Sequence, residues 1–255
     1  MVPAGIRSPA AILAACVLLA AGPAAAWRQA HTTPQRPGDP IYPLHVTSTC
    51  VHYSIHRDCS ADVTFEECRA AIDDGLRAWT DADCSYIRFE PTPPASCCRV
   101  GYVHGGPNAN CIMWREAEWP DDPAYPRDAV ALTTLTYDRA NGRILDSDVE
   151  FNGAAFTFAA DGRAGAYDIR STMTHEAGHM IGLDESEVRE ATMWPSTFPG
   201  ETHKRDLHAD DIEAVCTIYP SIRDPDACRG PIGGLDLVCR PPDDGCGCRS
   251  APARG

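Results

Sequence analysis

Residues 175–186 have the sequence HEAGHMIGLDES, which is the most informative segment of the chain. His175 and His179 are four positions apart, so on a helix they lie on one face, one turn above the other. Two imidazoles in this arrangement can direct nitrogens at one ion, and zinc accepts that geometry readily. Glu176 shares this side of the helix and can reach a water at the metal without being a ligand. The stretch therefore predicts a helix that carries a metal site and a base.

The residue types in this pattern point to hydrolysis. Zinc lowers the pKa of a bound water to about 7. A carboxylate at Glu176 can take the proton as the hydroxide attacks a peptide carbonyl, then pass it to the leaving amine. The metal meanwhile polarises the carbonyl and stabilises the oxyanion. The bare pattern also arises by chance in helices with surface histidines, so its context decides.

Two flanking residues supply that context. Asp168 can cap the start of the helix. Gly182 follows His179 by three positions and can adopt the left-handed conformation that ends a helix and turns the chain. A turn at Gly182 would bring the next residues back toward the metal.

With this context, residues 175–186 resemble the extended zinc signature of the metzincins, most closely the matrixins. In that family two histidines, a glycine and a third histidine three residues past the glycine form the site, and a methionine turn follows beneath the metal. Residues 191–195 (ATMWP) place Met193 at a suitable distance, and residues 207–220 resemble the terminal helix of the matrixins. The resemblance covers about residues 50–220.

The resemblance implies an α+β fold: a metzincin-like catalytic domain with a mixed twisted β-sheet, a long helix packed on it, an active-site helix and a C-terminal helix. Alternation and spacing of apolar residues predict the elements from the residues themselves. These are a strand at 51–55, a helix at 64–80, strands at 86–89 and 111–115, a hairpin of 129–137 with 144–151, and a helix at 206–219. The predicted organisation is a signal peptide at 1–26, an N-terminal extension at 27–49, the zinc metalloprotease domain at 50–220 and a cysteine-rich tail at 221–255. Residues 27–45 are rich in Pro, Thr and Gln, so this part of the extension is expected to have no structure of its own.

The sequence departs from the matrixin pattern at the third ligand, where Glu185 replaces the histidine. A carboxylate oxygen is an acceptable zinc ligand, and the Gly182 turn aims at this position. Its negative charge is expected to make the zinc a weaker Lewis acid. Other residues stay open as the third ligand: Asp184, Glu201, His203 and His208. A degenerate site without a third ligand also remains open.

Further metals have little support in the sequence. Matrixins often carry calcium, and Asp146, Asp148 and Asp161 could bind it, but their spacing fits a solvated hairpin better. The structural zinc site of the family is not recognisable, and neither is the propeptide cysteine motif. One catalytic Zn²⁺ is therefore the predicted cofactor, and Ca²⁺ is possible without a clear motif.

Charge and composition restrict the partners. The formal net charge of −14 argues against nucleic acid or an anionic membrane as a partner. The apolar run before residue 26 is too short to span a bilayer comfortably, so no transmembrane segment is predicted in the mature chain. The expected partner is a protein or peptide substrate, and the expected state is a monomer.

The termini predict export. Residues 1–26 combine Arg7, an apolar run and small residues at Ala24–Ala26, which is typical of a secretory signal cleaved before Trp27. Residues 13–16 (LAAC) also resemble a lipoprotein box, which would put a lipid on Cys16. Removal of Cys16 leaves 12 cysteines, which predicts a disulfide framework. Residues 245–249 (GCGCR) resemble the cysteine pair of myxobacterial sorted surface proteins, so a bacterial secreted form is expected, with attachment to the cell surface as the alternative.

Two functions follow from these observations. The first is a secreted zinc metalloendopeptidase with Glu176 as general base. The second is a catalytically silent zinc-binding surface or adhesion module with the same fold, which Glu185 and the cysteine-rich tail motivate. Glu176 weighs against the second, because a silent site has no chemical need for that carboxylate.

Overall fold

A mixed five-stranded sheet and three helices form the centre of the molecule. The computed structural model describes residues 26–96 and 99–230. The strands are β1 (Arg28–Gln29), β2 (Cys50–Ile55), β3 (Arg88–Pro91), β4 (Asn110–Trp114), β5 (Ala131–Tyr137), β6 (Ile144–Phe151), β7 (Phe158–Ala159), β8 (Tyr167–Asp168) and β9 (Leu183–Asp184). The helices are α1 (Phe65–Thr80), α2 (Ile169–Met180) and α3 (Ala209–Ile218), with short 3₁₀ turns at His203–Arg205 and Ser221–Arg223.

The sheet has the strand order β3-β2-β4-β6-β5. Strands β3, β2, β4 and β6 are parallel, and β5 pairs antiparallel with β6 through the hairpin that the sequence predicts. Strand β5 is the last strand in this order, so one side of its backbone forms an edge of the sheet. The α+β fold with a mixed sheet is confirmed.

Helix α1 has the start that its sequence predicts. Thr64 and Glu67 form a capping box, in which the Thr64 hydroxyl accepts from the Glu67 amide and the Glu67 carboxylate accepts from the Thr64 amide. The apolar stripe of α1 is buried against the sheet and α2. At its end, the Trp79 indole donates to the Thr174 carbonyl over 2.7 Å, which joins α1 to the helix that carries the predicted site.

The prediction that residues 27–45 have no structure of their own is wrong. Strand β1 in this segment pairs antiparallel with β9, and the Ala30 amide donates to the Gly182 carbonyl over 2.9 Å. The amides of Ala26 and Trp27 donate to the Asp210 carboxylate. Backbone pairing needs no apolar side-chain pattern, so a proline-rich stretch can form it without a signal in the sequence.

Other boundaries differ slightly from the sequence prediction. The strand expected at 86–89 begins at Arg88, because the chain first follows Tyr219: the Tyr86 amide donates to the Tyr219 carbonyl. The last helix is shorter than the predicted 206–219 and begins at Ala209, where His208 and Asp211 form a capping box. None of the helices within the described residues has the length and apolar character needed to cross a bilayer.

Three disulfides cross-link the described residues. They join Cys50 to Cys228, Cys59 to Cys68, and Cys84 to Cys216. The first ties the start of the predicted tail to β2. The expected signal at 1–26 apart from Ala26, the lipid position Cys16, and cysteines 97, 98, 239, 246 and 248 lie outside the described residues.

Candidate metal centre

Helix α2 carries both histidines of the predicted metal site. Asp168 caps the helix by accepting from the Ser171 amide over 2.8 Å, and its carboxylate also forms an ion pair with Arg205. The Asp168 side chain is fully buried and Arg205 is partly exposed, so both contacts hold the start of the helix in place. One turn apart on the same face, the rings of His175 and His179 have centroids 4.8 Å apart.

Backbone carbonyls orient both rings. His175 Nδ1 lies 2.8 Å from the Thr192 carbonyl oxygen, and His179 Nδ1 lies 3.0 Å from that of Leu183. A carbonyl can only accept, so each Nδ1 carries a proton, and Nε2 is the ring nitrogen that is left for a metal. Such outer contacts fix the tautomer that a metal-binding imidazole needs.

The Glu185 carboxylate lies close to the Nε2 atoms of both histidines. Its Oε1 lies 3.7 Å from His175 Nε2 and 3.6 Å from His179 Nε2, and one donor atom from each of the three residues falls within 4.8 Å of the others. Its Oε2 is buried without a hydrogen-bond partner. Ligands about 2.0–2.2 Å from a tetrahedral zinc lie roughly 3.3–3.6 Å apart, so this donor set fits zinc.

The other candidates for third ligand do not join this cluster. Asp184 is exposed on β9, and its carboxylate accepts from the Glu185 amide over 2.9 Å. Glu201 pairs with His203 at 3.1 Å, and His208 caps α3. In the ranges that the structure covers, no second group of three or more His, Cys, Asp or Glu residues could hold a metal.

The three calcium candidates do not form one cluster: Asp146 and Asp148 interact with each other, and Asp161 has a different partner. Asp146 and Asp148 are buried on β6, where the Asp148 carboxylate accepts from the amides of Gly101 and Cys111. Burial and the charge of Asp146 raise the pKa of Asp148 well above its usual range. Asp161 is exposed and faces Arg163 at 3.8 Å. Calcium binding stays a prediction without a shared site for these three residues.

The ionisable groups of the centre are strongly coupled. Burial opposes the charged form of His179, but the hydrogen bond that its ring donates to Glu185 and the charges of Glu176 and Glu185 outweigh it and raise the pKa of His179 to about 9. Burial likewise opposes the charged form of Glu185, yet both imidazoles hold the pKa of its carboxyl well below the usual range. A metal ion must therefore displace a proton from this centre at neutral pH.

Glu176 is held by a residue that the sequence did not indicate. The Thr133 hydroxyl, on strand β5, donates to Glu176 Oε2 over 2.6 Å. Glu176 is 5% exposed, so this hydrogen bond fixes the carboxylate in a largely water-free position beside the histidines. Thr133 lies 43 residues earlier in a regular strand, where no local pattern distinguishes it from its neighbours.

The turn after α2 depends on Gly182. Its φ is +88°, in the left-handed region that favours glycine, and a Cβ atom there would lie 2.5 Å from the Leu44 carbonyl oxygen. The Gly182 amide closes the turn by donating to the His179 carbonyl over 2.9 Å. The chain then reverses into β9 and presents Glu185 to the histidines.

Replacement of Gly182 by alanine is expected to lower the free energy of unfolding by more than about 2 kcal/mol, because the left-handed backbone costs about 1–2 kcal/mol and the clash with Leu44 adds to it. Gly105→Ala is the matched control: its φ is +73° and nothing lies within 4 Å of the added Cβ. Urea unfolding of the metal-free proteins measures both. Equal losses in the two variants would show that the contact with Leu44 has no effect.

Met193, the methionine of the predicted turn, packs against the helix that carries the histidines. It is 1% exposed, and a Cβ atom added at Gly178 of α2 would lie 2.3 Å from its Sδ, so the methionine packs directly on the helix. The amides of Thr192 and Met193 donate to the Asp211 carboxylate of α3 over 2.7 and 3.0 Å. This turn therefore holds the Thr192 carbonyl where His175 needs it.

An open cleft of about 560 Å³ runs past the centre. Its lining includes Ala131–Thr133 of β5, Pro195–Phe198 and Lys204. His175, Glu176, His179 and Glu185 also line it.

The mixed sheet, the helix that carries the histidines and the glycine turn define a domain of the metzincin-like α+β class. A family model described as Matrixin, of the peptidase M10 group, matches residues 45–220. The chain belongs to the matrixin family. This match extends over more than half of its length.

Plant proteins are among the relatives. The chain is 44% identical over 85 residues to "Metalloendoproteinase 1-MMP" of Arabidopsis thaliana, which is 33% of this chain and 20% of the relative. It is 34% identical over 85 residues to "Metalloendoproteinase 4-MMP" of the same plant, 33% of this chain and 24% of the relative. The chain is 41% identical over 54 residues to "Metalloendoproteinase 1" of Glycine max, and these residues are 21% of this chain and 17% of the relative.

These matched stretches span at most about a quarter of the relatives' length. They support the matrixin assignment of the domain. The bacterial origin that the tail motif suggested finds no support in them, because the relatives are plant proteins.

Proposed function

We propose that this chain is an exported zinc-dependent endopeptidase that cleaves proteins or peptides, with His175, His179 and Glu185 as zinc ligands and Glu176 as general base. The observation that carries the proposal is the convergence of two Nε2 atoms and one carboxylate oxygen within 4.8 Å, beside a buried glutamate and facing an open cleft. Family membership and the printed names of the plant relatives support the same activity.

The side chains divide the chemistry among them. Zinc, when bound, acts as a Lewis acid on water and on the substrate carbonyl. Thr133 occupies Oε2 of Glu176, so Oε1 is left to take the proton from the attacking water. Glu176 then passes this proton to the departing amine, which prevents the peptide bond from reforming. Thr192 and Leu183 keep the imidazoles in the tautomer that leaves Nε2 for the metal.

The substrate is proposed to lie extended along β5. An edge strand offers unpaired backbone amides and carbonyls that can add a further strand, and this mode of binding needs little from the side chains of the peptide. The edge of β5 borders the cleft at Ala131–Thr133, next to Glu176. This register would place a scissile carbonyl beside the metal centre.

Export is part of the proposal. The signal-like residues 1–26 and three disulfides in the described residues are typical of a protein that folds in an oxidising compartment. Free secretion is the proposed localisation, with attachment at the cell surface as the alternative.

Removal of the metal tests the activity. Purified protein is expected to cleave casein, to lose that activity in 1,10-phenanthroline, and to regain it when stoichiometric Zn²⁺ is added back, because the ligand set holds the only Lewis acid in the mechanism. Turnover that persists in the chelator would contradict the proposal. Full zinc occupancy without cleavage of casein or a peptide library would favour the silent zinc-binding module instead.

A further inference from the structure

Lys204 is the single lysine among the 22 basic residues of the chain, all the others being arginine. Lysine is normally a surface residue and is almost never fully buried unless it is paired. Lys204 is nevertheless only 2% exposed. A lone lysine in so unusual a position needs a physical reason.

The position of Lys204 connects it with the metal centre. It lies in the middle of the 3₁₀ turn His203–Arg205, and its ammonium donates to the Trp194 carbonyl, one residue after Met193. Its side chain lines the same cleft as His175, Glu176 and Glu185. Among the described residues that line the cleft, Lys204 is the only lysine or arginine, and the charges of Glu185 and Glu176 act on its ammonium.

Four carboxylates act on this ammonium. Burial lowers the pKa of Lys204, and the charges of Glu185, Glu201, Glu176 and Asp211 oppose that effect, with Glu185 the strongest of them. Asp211 already accepts from the amides of Thr192, Met193 and His208, and Glu201 accepts from the Phe198 amide. Oε2 of Glu185 has no hydrogen-bond partner. Oε1 of Glu185 faces the two imidazoles, so Oε2 is the oxygen of this carboxylate that its own contacts leave unpaired.

The charges of the centre explain why a cation is needed there. With neutral imidazoles, a divalent ion and the carboxylates of Glu185 and Glu176 sum to zero. The histidine that matrixins carry at position 185 would leave one positive charge to meet the negative charge that develops on the substrate oxygen. A buried ammonium restores that positive charge, and it acts more strongly across the cleft than it would in water.

We propose that Lys204 is an electrostatic positioning residue, whose buried ammonium offsets the negative charge that Glu185 brings to the metal centre. This inference rests on the proposed function. Its role differs from that of a structural clamp on Trp194, because the ammonium repels the metal ion and at the same time favours turnover.

Lys204→Met tests this distinction, since methionine has a similar length and no charge. The variant is expected to bind Zn²⁺ roughly tenfold more tightly, measured by competition with a chromophoric chelator, while its kcat falls roughly tenfold. A structural clamp would weaken zinc binding and turnover together. Weaker or unchanged zinc affinity in Lys204→Met would overturn the proposal.

A charge exchange provides the matched control. In a Glu185→His background the centre no longer carries the extra negative charge, so adding Lys204→Met is expected to leave kcat within about twofold of the Glu185→His variant. An equal fall of kcat in both backgrounds would overturn the proposal. If the wild-type protein binds zinc but cleaves nothing, the proposed function fails, and the zinc affinities still decide the role of Lys204.

The single lysine also permits a test that needs no variant. Protein grown with ¹³Cε-labelled lysine gives one side-chain resonance, because Lys204 is the only lysine. Addition of Zn²⁺ is expected to shift this resonance, since the ion enters the cleft that the ammonium faces. A resonance that does not move on zinc loading would overturn the coupling between Lys204 and the metal centre.

Discussion

Replacement of Glu176 by glutamine is expected to lower kcat/KM for a peptide substrate about 10²–10⁴-fold, the range that a positioned general base contributes. Glutamine has the same shape, and its amide oxygen can keep the hydrogen bond that Thr133 donates to Oε2. It cannot take a proton from water at neutral pH. Glu176→Ala should lose activity in the same way and abolish casein cleavage.

Zinc binding separates this loss from damage to the site. Glu176 is not among the three residues whose donor atoms converge, so both variants should keep stoichiometric zinc. Asp184→Asn is the matched control, because it removes a carboxylate from the same cleft that has no place in the mechanism. Activity of Glu176→Gln within a few fold of wild type would end the assignment of the base.

The features that were predictable from sequence depend on short-range geometry. A helix fixes the direction of residues four apart, so His175 and His179 share a face wherever the helix packs. Gly182 reverses the chain within a few residues, and this local turn determines that Glu185 returns to the helix. Thr64 and Glu67 likewise define the start of α1 through contacts three residues apart.

Contacts between residues far apart in the sequence were not predicted. Thr133 meets Glu176 only because strand β5 passes over α2, and a threonine in a strand is ordinary. The tie between Asp211 and the Met193 turn also depends on how α3 packs. Composition does distinguish one residue that acts over a long range in the sequence. Arginine occupies 21 of the 22 basic positions, so the single lysine, Lys204, stands out.

The proline-rich segment before residue 45 illustrates a different failure. Its side chains predict an unstructured extension, yet its backbone pairs with Leu183–Asp184, directly before Glu185. The same β9 strand supplies the Leu183 carbonyl that orients His179. The extension therefore supports the position of the third ligand, which no composition rule could indicate.

Glu185→Ala is expected to weaken zinc binding by more than about 100-fold, measured by chelator competition, because residues that only orient a ligand already cost about 10–100-fold. The reason lies in the geometry: Oε1 is within 3.7 Å of both Nε2 atoms, and no other carboxylate in the described residues joins that cluster. Loss of this ligand leaves two imidazoles on one helical turn, which hold zinc far more weakly than three donors do.

Asp184→Ala is the matched control for this prediction, because it removes the neighbouring, exposed carboxylate and leaves the cluster complete. It should keep zinc affinity within a few fold of wild type. Loss of zinc affinity in Asp184→Ala but not in Glu185→Ala would make Asp184 the ligand. Retained zinc affinity in both variants would point to Glu201, His203 or His208 as the third ligand. Glu185 is the favoured ligand because its carboxylate faces two imidazoles, and a cation bound between these groups would stabilise its negative charge. Glu201 instead pairs with His203, and His208 caps α3.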